Sequence, residues 1–287
     1  MLLESSKEII EKAIIDFKPK ASVLMLSGGD DSIAALQVCK ELDVKVDFII
    51  HGNTRTGLEE TTDFAREVAH KSGIKYIEAD AGDAYINYVM RKGFFGVGER
   101  AHTFAFHVLK ASHFRKAVSQ NIRQHQRNFP VLFINGARRL ESDNRMKTMV
   151  NPYKLDPAQK NNIWVNIINE WENGDPVKYL EGCGVKRNPV SIALCRSGEC
   201  MCGSMQSMEN YAEAKSFSPK WGANMDALRK KATEKFPWDW GTNPPPTWTL
   251  EKKGQGNLFS GYHDDFQPMC SGCKIRTTVN HSEIPTS

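Results

Sequence analysis

Two adjacent glycines flanked by hydroxyl and carboxylate side chains, Ser27-Gly28-Gly29-Asp30-Asp31-Ser32, form the first candidate for chemistry in this sequence. Glycine lets the backbone approach an anion without a Cβ atom in the way, and the amides that open a following helix point into the same space. The hydroxyls of Ser27 and Ser32 are donors to phosphate, and Asp31 can orient a ligand or hold Mg²⁺. The segment predicts a phosphate-binding loop, although it lacks the lysine of a Walker A motif. A glycine-rich turn without a ligand is the alternative.

A second group of polar residues follows a later apolar run. Gly136 lets the backbone turn beside a ligand, while Arg138 and Arg145 offer planar donor forks to phosphate or sulfate oxygens. Glu141 can fix one guanidinium or hold Mg²⁺, and Ser142 can cap the turn. The alternative is an ordinary loop whose charges are paired with one another.

Five of the seven cysteines form two clusters in the C-terminal third of the chain. Closely spaced thiols beside glycine are typical of a site in which the backbone wraps a metal. Zinc and a [4Fe-4S] cluster both accept thiolate ligands, and the spacing does not separate them. The pattern predicts a metal site in which five candidates compete for four places: Cys195, Cys200, Cys202, Cys270 and Cys273. Unbound reduced thiols are the alternative.

Strand and helix patterns alternate ahead of the cysteines. Apolar runs predict strands at 23–26, 44–50, 75–79 and 131–134, and helical spacing predicts helices at 5–17, 59–71 and after the phosphate loop. Parallel βαβ units bind ligands beyond the carboxyl ends of their strands. We therefore expect an α/β fold with a doubly wound, mostly parallel sheet. We place a nucleotide-binding domain at 1–190 and a cysteine-rich, metal-binding C-terminal region at 191–287.

The motif Ser-Gly-Gly-x-Asp-Ser at 27–32 resembles the PP-loop of ATP pyrophosphatases, which split ATP between its α and β phosphates. The pattern Gly-x-Arg-x-x-Glu-Ser-x-x-Arg at 136–145 resembles the corresponding motif of the phosphoadenosine phosphosulfate (PAPS) reductase family. Thr56 and Gly57 resemble a Thr-Gly pair of that family, although an ordinary helix start explains them equally well. The resemblance spans roughly residues 20 to 205 and implies the adenine nucleotide α-hydrolase-like fold.

The resemblance implies an enzyme that binds ATP and Mg²⁺ and transfers an adenylyl group to a substrate. It implies catalytic roles for Asp31, Ser32, Arg138 and Glu141. It implies nucleotide contacts for Ser27, Gly28, Gly29, Asp31, Ser32, Thr56, Gly57, Gly136, Arg138, Ser142 and Arg145. It favours [4Fe-4S] over Zn²⁺, because several relatives that reduce or transfer sulfur carry such a cluster. Members that modify nucleic acid, including those of DNA phosphorothioation, add a nucleic acid substrate and a sulfur-donor protein as expected partners.

Two other functions compete with adenylation. A sulfonucleotide reductase acting on PAPS or adenylyl sulfate requires a nucleophilic cysteine in a C-terminal Glu-Cys-Gly-Leu-His motif, which this sequence does not contain. A metal-stabilised nucleic-acid-binding module would use the basic stretch from Arg100 to Arg127, and it would leave both phosphate motifs idle.

Composition places few limits on function. The 287 residues can bury a substantial core, and a net charge of +4 permits nucleic acid as a partner without arguing for it. Since no apolar run is long enough to cross a membrane and the first residues lack the long apolar core of a signal peptide, we expect a cytoplasmic protein with no membrane partner.

Overall fold

The computed structural model describes residues 2–126, 128–156, 161–245 and 248. Its strands are β1 (Ala21–Met25), β2 (Phe48–Asn53), β3 (Lys75–Asp80), β4 (Val131–Asn135), β5 (Tyr153–Leu155) and β6 (Asn162–Asn166). Its α-helices are α1 (Leu2–Phe17), α2 (Asp30–Glu41), α3 (Glu59–Ser72), α4 (Ala84–Lys92), α5 (Glu99–Phe106), α6 (Ser112–Asn121), α7 (Asp143–Thr148), α8 (Asp175–Gly182), α9 (Pro189–Leu194), α10 (Met208–Phe217) and α11 (Pro219–Thr233). A single π-helical turn, His107–Ala111, joins α5 to α6.

The six strands form one sheet in the order β3-β2-β1-β4-β6-β5. Every pairing is parallel except that of β5 with β6. The chain builds the sheet outward from β1 to β3 and then returns to the other side of β1 with β4. This reversal confirms the expected doubly wound, mostly parallel α/β sheet. It also creates a switch point between β1 and β4, where folds of this kind bind ligands.

Buried apolar residues explain why the two central strands form. All five residues of β1 and all five of β4 are buried, as expected for parallel strands covered on both faces. Alternate residues face opposite sides of the sheet. Leu24 packs with Ile33 of α2 in the core on one face, whereas Val23 packs with Ala117 of α6 in the core on the other.

A third core lies outside the sheet. It joins Leu58, Tyr85 and Leu109 to residues beyond position 190, among them Met201 and Trp240. The described part of the C-terminal region therefore packs against the helices that connect β3 to β4. The division at residue 190 stays a prediction. Positions 270 and 273, which were expected to complete the metal site, lie outside the described residues.

Some elements differ from the sequence expectations. Strand β2 begins at Phe48 rather than near Val44, because the amide of Val44 donates to Cys39 and so extends the end of α2. The pair β5 and β6 and the π-helical turn were not predicted from the sequence. Among the residues that the structure describes, no helix has the length and apolar character needed to cross a membrane.

Candidate functional site

The phosphate loop, residues 27–32, connects β1 to α2 at the switch point of the sheet. Gly28 has φ +81°, which a side chain would strain, and a Cβ there would meet the Thr61 methyl at 2.9 Å. The Ser32 hydroxyl donates to the Gly29 carbonyl at 2.8 Å and accepts from the Ser27 hydroxyl at 3.1 Å. The loop is thus held by its own serines, and it leads into α2, whose first amides have no acceptor within the helix.

Arg138, which follows β4, is bound to the phosphate loop through Asp31. Its Nε donates to Asp31 Oδ1 at 3.0 Å, and its Nη2 approaches Oδ2 at 3.4 Å. The Arg138 side chain is 9% exposed, whereas that of Asp31 is 32% exposed. Burial raises the pKa of Asp31, and the Arg138 guanidinium opposes that rise. The pair joins two loops that lie 107 residues apart in sequence, and it leaves part of the Asp31 carboxylate open to a ligand.

Gly136 brings those two loops into direct backbone contact. A Cβ at this position would lie 2.5 Å from the carbonyl carbon of Asp31 and 3.0 Å from the amide nitrogen of Ser32. The sequence had assigned this glycine to a turn beside a ligand. The structure shows that it also permits the loop after β4 to pack on the first turn of α2.

The rest of the second motif lies close by. Ser142 caps α7 by accepting from the Arg145 amide at 3.3 Å, as the sequence indicated. The Arg145 guanidinium is paired with Glu141. Its charge also opposes the rise in the pKa of Asp31, although less than the charge of Arg138 does. The structure therefore brings both family motifs to one end of the sheet.

A segment that contains three of the cysteines crosses over the phosphate loop. We call residues 195–204 the cysteine loop. A Cβ on Gly29 would lie 3.2 Å from the Ser197 Cβ. Six successive carbonyls of the cysteine loop, from Ser197 to Cys202, accept hydrogen bonds from donors elsewhere in the chain. The donors are Thr61 Oγ1, Leu58 N, Thr54 Oγ1, Gln206 Nε2, Trp240 Nε1 and Tyr85 Oη.

Thr56 and Gly57 contact the cysteine loop in the structure. A Cβ on Gly57 would lie 2.6 Å from the Glu199 carbonyl carbon and 2.7 Å from the Gly198 oxygen. The Thr56 hydroxyl accepts from the Met201 amide at 3.2 Å and lies 3.6 Å from the Cys200 sulfur. These contacts explain the residue types of the pair. Contact with adenine or ribose stays a prediction.

The described cysteines do not assemble a metal centre. Cys195 is exposed, with φ +53°, whereas Cys202 is buried. A hydrogen bond with Cys200, together with burial, raises the pKa of Cys202 well above its ordinary value. Within the described ranges, no group of three or more His, Cys, Asp or Glu side chains could hold a metal ion. The residues present thus do not by themselves fit a [4Fe-4S] cluster or zinc, and Cys270 and Cys273 lie outside those ranges.

A buried ion pair at this site was missed by the sequence analysis. Lys110 of the π-helical turn donates to Glu199 of the cysteine loop at 2.7 Å, and the two side chains are 8% and 10% exposed. The Glu199 carboxylate lies 3.7 Å from the position of a Cβ on Gly52, at the end of β2. Lysine and glutamate are rarely buried unless they are paired. The signal in the sequence was Lys110 directly after a largely apolar stretch, 105–109.

Two further residues hold the phosphate loop from the side of α9. Asn188 donates to the Gly28 carbonyl at 2.9 Å and to the Thr61 hydroxyl at 3.2 Å. Arg187 binds Asp30 through two nitrogens, at 3.1 and 2.9 Å. Asn188 and Arg187 therefore hold the phosphate loop through the Gly28 carbonyl and the Asp30 carboxylate.

A glycine-rich turn at a switch point, with buried arginines beside it, is the arrangement in which α/β proteins commonly bind anions. The profile of the phosphoadenosine phosphosulfate reductase domain matches residues 21–204. The chain belongs to this family. A comparison with curated proteins found no match.

A comparison with solved structures found similarity, at low identity, to three enzymes among others. The PAPS reductase of Candida auris has 14% identity and a TM-score of 0.45, covering 64% of this chain and 82% of its own. The NH3-dependent NAD synthetase of Campylobacter jejuni has 14% identity and a TM-score of 0.46, covering 82% and 93%. The U34-tRNA thiolase of Methanococcus maripaludis, solved with its [4Fe-4S] cluster, has 13% identity and a TM-score of 0.38, covering 90% and 89%.

Proposed function

We propose that the chain binds ATP at the phosphate loop and transfers its adenylyl group to an acceptor that is a nucleic acid or a nucleotide. The observation that carries this proposal is the Asp31–Arg138 pair, which joins the phosphate loop to the second family motif at the switch point. Membership of the PAPS reductase family supports an adenine nucleotide as the ligand.

In the proposed reaction an acceptor oxygen attacks the α-phosphorus of ATP. The bond between this phosphorus and the oxygen that bridges to the β-phosphate breaks, and pyrophosphate leaves with the electron pair. Backbone amides at the start of α2 and the hydroxyls of Ser27 and Ser32 would bind the phosphates. Arg138 would orient Asp31 and add positive charge near the reacting phosphate. A sulfide-level sulfur nucleophile from a donor protein would then form a bond to the acceptor atom that bears the adenylated oxygen. The bond between that atom and the oxygen would break, and AMP would leave with the electron pair.

Mg²⁺ would neutralise charge on the ATP phosphates. The exposed part of the Asp31 carboxylate fits this ion, because Mg²⁺ is commonly bound by one or two carboxylates together with substrate phosphates. Glu141 is a second carboxylate in the same region, and its contact with Arg145 keeps it beside the site. No step is assigned to an iron–sulfur or zinc centre, since the described thiols do not assemble one.

The test is a calorimetric titration in which α,β-methylene ATP and Mg²⁺ are added to the full chain and the heat of binding is measured. This analogue cannot be cleaved between the α and β phosphates. We expect Arg138→Gln to weaken binding at least tenfold, since it removes a charged group from the site. Arg139→Gln is the matched control, because its partner is Glu170 on the surface. Equal affinity of the two variants, or no binding by the wild type, would contradict the proposal.

Analysis of the products distinguishes adenylyl transfer from sulfonucleotide reduction. With ATP and an acceptor, the proposal expects pyrophosphate and adenylated acceptor in equal amounts, and it expects AMP only after a sulfur nucleophile is added. Sulfite release from PAPS in the presence of a thiol would instead identify a sulfonucleotide reductase. Asp31→Asn is the second variant if Arg138→Gln does not fold, because it keeps the shape of the side chain and removes its charge.

A further inference from the structure

The positive charge of this protein is concentrated in one connection of the fold. We call residues 84–126, which run from β3 towards β4, the basic crossover. It contains seven lysines and arginines and one acidic residue, Glu99, whereas the whole chain has a net charge of +4. The rest of the chain is therefore net negative. A charge so unevenly distributed creates a local positive potential that the net charge conceals.

Five of these cations are exposed and form no ion pair with any described residue. Arg91 and Lys92 lie at the end of α4, Arg100 opens α5, and Arg115 and Lys116 lie on α6; all five are exposed. Within the described part of the chain, none of the five forms an ion pair with a carboxylate, whereas Lys110 of the same crossover is paired with Glu199. Elsewhere in the chain several exposed basic residues pair with an acidic neighbour on the same helix, as Lys71 does with Glu67. Within its own sequence the crossover offers a single acidic neighbour, Glu99.

Aromatic rings lie between the cations of α4 and α5. Tyr88 stacks on Phe95 with ring centroids 4.3 Å apart and planes inclined by 12°, and Phe104 lies 5.5 Å from Tyr88. All three rings are partly exposed. Positions three and four apart share a helix face, so Arg91 and Lys92 flank Tyr88, and Arg100 flanks Phe104.

The basic crossover is attached to the proposed active site. Phe114 of α6 packs against Gly52 at the carboxyl end of β2, where a Cβ would lie 2.9 Å from the ring. The Lys110–Glu199 pair joins the crossover to the cysteine loop, which in turn covers the phosphate loop. A polymer bound along α4–α6 would lie on the element that contacts this end of the sheet.

We infer that the basic crossover binds single-stranded nucleic acid, with Arg91, Lys92 and Arg100 on the phosphates and the Tyr88–Phe95–Phe104 cluster against the bases. Unpaired cations interleaved with accessible rings are the arrangement that single strands use, because phosphates need charge and unstacked bases need a flat apolar surface. The inference rests on the proposed function in one respect, namely that the bound strand is the acceptor of the adenylyl group.

The experiment measures anisotropy of a fluorescein-labelled 20-nucleotide single-stranded DNA bound to the full chain, from 50 to 200 mM salt. The test variant removes three charges, Arg91→Gln, Lys92→Gln and Arg100→Gln. The matched control removes three exposed, unpaired lysines elsewhere, Lys7→Gln, Lys40→Gln and Lys154→Gln. Each phosphate contact contributes about 0.7 to the slope of log K against log salt. We expect the test variant to lose about 2 from that slope and the control variant to keep it.

A second variant distinguishes stacking of the bases on the aromatic rings from attraction between the basic side chains and the phosphates. Tyr88→Leu keeps an apolar side chain and removes the flat ring, and we expect it to weaken DNA binding about fivefold or more with no change in the salt slope. Polyglutamate of equal charge should compete poorly. If polyglutamate competes as well as the oligonucleotide and Tyr88→Leu has no effect, the surface binds an acidic protein and the inference is wrong. Equal slopes for test and control variants, or equal affinity for duplex DNA, would also overturn it.

The result of the oligonucleotide experiment does not depend on whether the phosphate loop binds ATP. Binding of the ATP analogue by the triple variant reports on the phosphate loop, and oligonucleotide binding by Arg138→Gln reports on the crossover. Failure of either proposal thus leaves the other measurable.

Discussion

The contact between the two phosphate motifs depends on one hydrogen atom at Gly136, and replacing it by a methyl group tests the geometry of the site. In Gly136→Ala the new Cβ would lie 2.5 Å from the Asp31 carbonyl carbon, whereas ordinary contact begins at 3.4 Å. Because the groups it meets belong to the backbone, no side-chain rotation relieves the overlap. The loop after β4 must therefore move away from α2 by about 1 Å, judged from those two distances.

Two effects follow from that displacement. Overpacking of this size costs about 1–3 kcal/mol of the free energy of unfolding. The Arg138 Nε, now 3.0 Å from Asp31, would move beyond hydrogen-bonding range. A misplacement of about 1 Å in a catalytic group lowers a rate about 100-fold, so adenylation should fall by that order.

The assay is unfolding in urea, monitored by tryptophan fluorescence. Binding of α,β-methylene ATP is measured without urea on the same protein preparations. Gly182→Ala is the control, because that position lies in α8 with no atom near the added Cβ. It should stabilise the protein by about 0.5 kcal/mol, since alanine is favoured over glycine in a helix. If Gly136→Ala unfolds at the same urea concentration as the wild type and binds the analogue equally well, the packing described for the two motifs is incorrect.

Three other predictions address the ion pairs and the thiols. Lys110→Met leaves Glu199 buried without its partner and should lower the free energy of unfolding by about 3–5 kcal/mol, while the double variant Lys110→Met/Glu199→Met recovers most of it; an unchanged urea midpoint in the single variant would refute the buried pair. Burial raises the pKa of Cys39 to about 12, so iodoacetamide at pH 8 should modify exposed Cys195 first in chelator-treated protein, and mass spectrometry showing equal labelling would contradict this. A hydrogen bond from Arg55 lowers the pKa of Asp80, so the pair stabilises the fold above pH about 4 and that contribution is lost as the pH falls further. Arg55→Gln should cost less than about 1 kcal/mol at pH 7, since the pair is partly exposed, and should reduce the acid dependence of stability; identical pH profiles would exclude that role.

Local sequence patterns were sufficient for much of the fold. Strands β1 and β4 are buried on both faces, so they appear as continuous apolar runs, and both were predicted. The turn between β1 and α2 was predicted because adjacent glycines after an apolar run indicate a strand-to-helix turn, whereas its binding of phosphate stays a prediction. Strand β5 was missed, since its three residues are mostly exposed and carry no alternation.

Long-range contacts explain what the sequence could not show. Lys110 and Glu199 are 89 residues apart, and neither belongs to a motif. The role of Gly57 depends on the Glu199 carbonyl, which lies far away along the chain. The spacing of the cysteines indicates that they could bind a metal, but it does not indicate where the fold places each thiol. Among the described cysteines, only Cys200 and Cys202 lie in contact.

Strand β1 is hydrogen-bonded on both sides, by β2 and β4, and the phosphate loop begins directly after it. Amide protons of β1 should therefore exchange with deuterium only when the whole domain opens, whereas those of the short edge strand β5 exchange through local fraying. The two timescales should differ by orders of magnitude. The loop therefore begins from a strand that is already ordered without a ligand. Binding of a ligand to the loop should slow deuterium exchange of the α2 amides and leave that of the β1 amides unchanged.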